Sequence, residues 1–154
     1  VAGSAAKDTG RMTPAEMAIV HARAFSAERS WRVDEITDLM AQDSVFELFD
    51  AHSFALCRLV LDETELLTLA TDPAHRRNGS ARAICIKWLN KAQRMGATRA
   101  FLEVASDNVA ARALYDRLGF VEAGRRKAYY TRKSAPAADA LTMILDLTAR
   151  QPGE

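Results

Sequence analysis

Two cysteines in 154 residues, a net charge of only +1 and no long apolar run set the first limits on this chain. Cys57 falls in a predicted strand and Cys85 on the inward stripe of a predicted helix. They read as reduced packing residues, not as a disulfide framework. The near-balanced charge excludes a dedicated nucleic-acid binder, which carries a marked basic excess. No apolar stretch approaches the roughly 20 residues that span a bilayer, and no basic-then-apolar leader is present. The expectation is therefore a cytoplasmic protein with no membrane and no direct nucleic-acid partner. Metal-type residues are also thin: His21 lies on a helix face with no second ligand type at i+4, so no metal site is expected. There is no internal repeat. What remains, 49% hydrophobic and 27% charged residues, fits one soluble domain.

Residues 1–12 are small and polar and read as a lead-in, 13–148 as the domain, and 149–154 as a tail. Thr13, Pro14 and Glu16 make a capping box with proline in the first helical position. Met17, Val20, His21, Ala24 and Phe25 then recur at helical spacing. A second helix is predicted from Val33 to Ala41. Strands follow at Val45–Phe49, Phe54–Leu61 and Glu65–Thr71, and Pro73 stops the third. Ala81, Ile84, Cys85, Trp88, Leu89 and Ala92 line one face of the next helix, which Gly96 closes. A strand at Arg99–Val104, a helix at Asn108–Leu118 and a strand from Phe120 come next. A polar loop around Arg132–Asp139 leads to a last strand with Leu141, Met143, Leu145 and Leu147 alternating. Hairpins mixed with crossover helices imply an α+β fold: one central, mixed, mostly antiparallel twisted sheet flanked by helices on both faces.

The most informative stretch is Arg76-Arg77-Asn78-Gly79-Ser80-Ala81, a strand-to-helix turn through glycine and small residues. Such a turn leaves backbone N–H groups free at the positive end of a helix dipole, a ready site for phosphate or pyrophosphate. About thirty residues on lie Phe101-Leu102-Glu103-Val104 and Asn108-Val109-Ala110-Ala111-Arg112-Ala113-Leu114-Tyr115-Asp116-Arg117-Leu118-Gly119-Phe120. The first motif, Arg-x-x-Gly-x-Ala, resembles the acyl-CoA-binding signature of the GNAT N-acetyltransferases. The second resembles that family's Leu-Glu-Val…Asn-x-x-Ala-x-x-Leu-Tyr-x-x-Leu-Gly-Phe block. Within the family, Asp62–Pro73 and Arg125-Arg126-Lys127-Ala128-Tyr129-Tyr130 are similar to the ribosomal-protein-alanine type. The likeness covers roughly residues 60–147. It departs from that type at Ser80, at Thr131, where proline often stands, and at Ala138-Asp139-Ala140, where the type tends to carry Glu-Asp-Ala.

The resemblance implies a GNAT-like fold, usually with one more N-terminal strand than residues 1–12 look able to supply. It implies acetyl transfer from acetyl-CoA to an amine by direct attack. Leu69, Ala70 and Thr71 would hold the pantetheine arm by main-chain groups, with an N–H near Ala70 facing the thioester oxygen. Arg76, Arg77, Asn78, Gly79, Ser80, Ala81 and Arg82 would hold the pyrophosphate, and Asn108 and Ala111 would meet the arm from the other side. Tyr115 would be the general acid and Glu103 the base, with Tyr129, Tyr130 and Asp139 toward the acceptor. Each residue also has a plainer reading. Glu103 can pair with Arg99 or Arg126, Tyr115 can be core, Asn108 a helix cap, and the tyrosines sheet aromatics. The acceptor implied is a protein N-terminal amine, as in a ribosomal protein. A small amine, or acyl-CoA binding without turnover, are the alternatives.

Overall fold

The structure, a computed structural model, describes residues 11–25, 29–76 and 78–153. Residues 1–10 of the expected lead-in (1–12) and the expected pyrophosphate ligand Arg77 lie outside the described residues. Helix α1 (Pro14–Ala24) starts on the expected capping box. The Thr13 hydroxyl accepts from Glu16 N–H and the Glu16 carboxylate accepts from Thr13 N–H. Helix α2 (Val33–Met40) follows, then β1 (Val45–Phe49), β2 (Ser53–Val60) and β3 (Glu63–Thr71). A short 3-10 turn (Pro73–His75) leads into α3 (Ser80–Arg94), then β4 (Arg99–Ala105), α4 (Val109–Arg117), β5 (Val121–Tyr130) and β6 (Ala138–Asp146). Several boundaries shift by one or two residues from expectation, and two of the shifts bear on the site and its surroundings. Strand β2 stops at Val60 because Leu61 turns into the left-handed region (φ 56°) and is 90% exposed. Strand β6 starts at Ala138, so Asp139 belongs to a strand and not to the loop before it.

The six strands run in the order β1-β2-β3-β4-β6-β5, with only β3 and β4 parallel. Each face has its own core. On one, Ile84, Cys85, Trp88, Leu89 and Ala92 of α3 pack with Tyr115 and Phe120 against the sheet. On the other, Met17, Val20 and Ile36 of α1 and α2 cover Phe54, Leu56 and Ala70. The Trp88 indole N–H donates to Thr64 Oγ1 (2.8 Å), whose hydroxyl donates to the Arg58 carbonyl (2.9 Å). The polar end of the largest core ring is thus satisfied, as burial demands. The stretch after β6 is docked: Arg150 donates to Asn90 Oδ1 and Gly153 N–H to the same oxygen, both at 2.9 Å.

One irregularity decides where a ligand can enter. Opposite Leu56 and Cys57 of β2, β3 carries an extra residue, since Leu56 pairs with Thr68 but Cys57 with Leu66. Leu67 is the extra residue of a β-bulge, which bends a strand and sharpens its twist. Across it the facing switches: Leu66 and Leu69 pack toward α3, Leu67 and Ala70 toward α1 and α2. The parallel ladder between β3 and β4 ends there, at Leu66 opposite Leu102. Beyond that point the two strands part, leaving main-chain donors and acceptors of β3 without a β4 partner.

Candidate functional site

Two clefts meet at the parted strands. The larger, about 980 Å³, runs from the Gly79 loop along Leu69 and Thr71 to α4. The smaller, about 250 Å³, opens on the α1–α2 side above Glu103. Phe25, Leu69, Asn108, Ala111 and Tyr115 line both, so these residues stand at the junction.

At one end of the larger cleft, Gly79 caps α3 with φ +81°. A methyl group built there would meet nothing within 4 Å, so the angle and not crowding calls for glycine. Asn78 Oδ1 accepts the Ser80 N–H (3.1 Å), while the N–H groups of Ala81 and Arg82 at the helix start have no partner among the described residues. Arg76, Ser80, Ala81 and Arg82 line the cleft, and Arg76 also donates to the Ala24 carbonyl (3.0 Å), tying the loop to α1. This end suits a diphosphate: free amides, a helix dipole and nearby guanidinium groups. Gly79→Ala should lower the unfolding free energy by about 1–2 kcal/mol, the cost of a left-handed angle, and Gly79→Asn by less. Denaturant titration of the three proteins measures both.

At the junction, Asn108 caps α4: its Oδ1 accepts from Ala111 N–H (3.2 Å), and its Nδ2 has no partner among the described residues. Capping and a ligand-facing amide are thus compatible in one side chain. Tyr115 is 6% exposed with its ring edge-on to Phe120. Its hydroxyl has no hydrogen-bond partner among the described residues, which leave no fully buried side-chain polar atom unpaired. The hydroxyl therefore reaches the cleft. Burial, with Cys85 and Cys57 adding, pushes the phenol above its ordinary range, so it stays a proton donor at neutral pH. Ala70 itself lines neither cleft: its methyl is buried against α1 and α2 and it pairs with Phe54 of β2, so the cleft side of β3 here belongs to its neighbours Leu69 and Thr71.

The smaller cleft is aromatic. Tyr129 and Tyr130 meet edge to face, centroids 5.1 Å apart, beside Phe25 and Trp31. Glu103 is its carboxylate. It accepts from Arg126, which sits over the Tyr129 ring at 4.0 Å, and from the Tyr130 hydroxyl at 3.4 Å. Of the two plain pairings expected, Arg126 is the one formed, while Arg99 faces Glu63. Asp139 is not on either cleft. Its carboxylate is turned to β5, where it accepts from Ala128 N–H (2.9 Å) and Arg125 (2.8 Å). Asp139, expected toward the acceptor, is thus set back from both clefts, with its carboxylate on the β5 backbone.

Several lining residues carry no sequence motif. Phe25 follows the last residue of α1 and Trp31 lies on the approach to α2, with His21 between their rings (4.7 and 5.1 Å). Only the helical spacing of His21 and Phe25 hinted at them. Arg132 grips Asp107 through two bonds of 2.9 Å and so ties the β5–β6 connection to the start of α4. His21 is 3% exposed, and the Trp31 N–H donates to its Nδ1 (3.4 Å). Burial lowers its pKa from 6.5 to about 4, with Glu35 opposing and Arg29 adding. Between those values the unfolded chain binds the proton and the folded one does not, so the His21 contribution is intact above pH 6.5 and is lost as pH falls toward 4. Urea unfolding across that range should show wild type losing stability faster than His21→Gln.

The family model described as the acetyltransferase (GNAT) family matches residues 46–120, which hold the bulge, the glycine loop, Glu103 and Tyr115. The ribosomal protein bS18-alanine N-acetyltransferase of Haemophilus ducreyi is 37% identical over 95 residues, 62% of this chain and 66% of that protein. Its Escherichia coli counterpart is 38% identical over 96 residues, 62% of this chain and 64% of that protein. The matched stretch thus spans just under two thirds of these relatives. The crystal structure of the ribosomal-protein-S18-alanine N-acetyltransferase from Escherichia coli superposes with a TM-score of 0.80 at 26% identity, over 95% of this chain and 96% of that one. Family model, relatives and superposed sheet agree: residues 46–120 match the GNAT acetyltransferase family, and the chain is similar in sequence and fold to its ribosomal-protein-alanine members.

Proposed function

We propose that this protein transfers acetyl from acetyl-CoA to the α-amine at a protein N-terminus, by direct attack. The observation that carries the reading is the parting of β3 and β4 beyond Leu66 and Leu102, with the glycine loop at one end and Glu103 at the other. The larger cleft fits the coenzyme: unpaired β3 main chain for an extended arm, two open α3 amides for the diphosphate, and arginines at the rim. Bound there, acetyl-CoA supplies an activated acyl group.

The chain's own residues address the remaining chemistry. An α-amine is largely protonated at neutral pH, and Glu103 takes its proton directly or through water. A β3 N–H near Ala70 faces the negative charge that develops on the carbonyl oxygen. Tyr115 protonates the departing sulfur. Holding both reactants at one junction is worth about 7–11 kcal/mol of barrier. A covalent enzyme intermediate has no support. Cys57 and Cys85 are buried in the core, their thiols raised by burial, Cys85 to about 12, and neither lines a cleft. A cytosolic setting suits two such reduced thiols.

The acceptor cleft, small and aromatic, has room for a short N-terminal residue, and Tyr129 at its rim is 51% exposed, which leaves a way out for a following polypeptide. Similarity to the ribosomal-protein-alanine relatives points to an alanine N-terminus on a ribosomal protein. A thiol-release assay with peptides beginning Ala, Ser or Met beside free polyamines tests this. Release with the Ala peptide is expected. Release with polyamines alone would favour a small-amine enzyme, and release with none a binding module. Among the described residues no helix is long and apolar enough to cross a membrane, and no side-chain cluster forms a metal site.

A further inference from the structure

The two cleft tyrosines pose a geometric problem. Adjacent residues of a regular strand point to opposite faces of a sheet. Tyr129 and Tyr130 nevertheless line the same cleft. The register explains how: Arg126 of β5 pairs with Ala140 of β6, yet Tyr130 pairs with Ala138, so four steps on β5 meet two on β6. Within this distortion Ala128 has φ +51°, an angle a residue with a side chain adopts only at a cost. Its N–H has no β6 main-chain partner in that register.

We propose that Asp139 is a positioning residue for the acceptor site, holding the β5 distortion that brings Tyr129 and Tyr130 together beside Glu103. It sits on β6 between Ala138 and Ala140, directly across the gap. One carboxylate oxygen accepts the Ala128 N–H and the other accepts from Arg125, so the charge links the middle of the slip to the regular strand just before it. Its own main chain is fixed to the β4–α4 connection: Asp139 N–H donates to Ser106 Oγ (3.1 Å) and Ser106 N–H to the Asp139 carbonyl (2.8 Å). The clamp is therefore anchored beside Asn108, at the junction of the clefts. The Ala128 bond, then Arg125, holds the Asp139 carboxyl below its ordinary range, so it is ionised throughout neutral pH. Without the clamp, β5 returns toward a regular strand and one tyrosine swings to the far face.

This inference deepens the acceptor reading and rests on it, so two measurements separate them. In steady-state transfer to an Ala-initial peptide, Asp139→Ala should raise the peptide KM about tenfold or more and leave the acetyl-CoA KM within about twofold. Asp139→Asn, which keeps an oxygen on Ala128, should raise it less. Adding Ala128→Gly to Asp139→Ala should recover part of the loss, because glycine holds the left-handed angle unaided. In ligand-free hydrogen exchange, Asp139→Ala should speed exchange across 125–131 about tenfold and leave the α3 core amides unchanged. Unchanged exchange at 125–131 would overturn the clamp, as would equal rises in both KM values or no recovery with Ala128→Gly. Should wild type acetylate no peptide, the acceptor reading falls, and the exchange data still decide the clamp.

Discussion

Glu103→Gln should cut kcat for acetyl transfer by about 10²–10⁴-fold while acetyl-CoA affinity stays within about twofold. Glutamine keeps the shape of the side chain and an oxygen for Arg126 and Tyr130, and removes only the basicity. The plain alternative is that Glu103 serves as one half of a structural ion pair with Arg126. That pair is poorly placed for such a role, with Arg126 56% exposed along its side chain. Partly exposed pairs of this kind contribute about 0–1 kcal/mol. Glu103→Gln should therefore melt close to wild type. A variant that unfolds early but turns over normally would assign Glu103 to the fold and remove it from the chemistry.

Tyr115→Phe should lower kcat by about 10²-fold with no loss of stability, and the pairing of the two results is the test. A buried tyrosine kept for packing usually has its hydroxyl bonded, and its removal then leaves a partner unsatisfied. Here the ring fills the core against Phe120 while the hydroxyl has no partner among the described residues. Phenylalanine keeps the ring, so nothing in the fold is orphaned. Loss of turnover at an unchanged melting temperature, with acetyl-CoA still bound, would mark the hydroxyl as the proton donor. Unchanged turnover would leave Tyr115 as core alone.

Much of this architecture was legible because local signals were strong. The capping box at Thr13 and Glu16, the apolar stripe of α3 and the glycines closing α3 and α4 each tie one residue type to one backbone need. Glu103, Tyr115 and the Gly79 loop were legible as motif positions, and the fold brings them to adjoining clefts. The bulge at Leu67 was not. Leu66-Leu67-Thr68-Leu69 is apolar on both parities, so no period-2 pattern exists to be interrupted. The β5 distortion was hidden for the opposite reason. Residues 121–129 are all exposed, and an edge strand with no buried side leaves its register unwritten in the pattern of apolar residues. Asp139 was placed toward the acceptor because the resemblance puts the run before the last strand on that side of the cleft. Only the pairing of β5 with β6 reveals that its carboxylate faces the backbone of Ala128. Phe25, Trp31 and Arg132 reach the clefts through tertiary packing, which spacing along the chain does not encode.

A crystal structure of the wild-type protein with acetyl-CoA tests the central claim most directly. The account expects the diphosphate on the amides of Ala81 and Arg82 beside Gly79, the arm bonded to the main chain of 67–71, and the thioester between Glu103 and Tyr115. A coenzyme bound elsewhere, with β3 and β4 zipped together beyond Leu66 and Leu102, would contradict it.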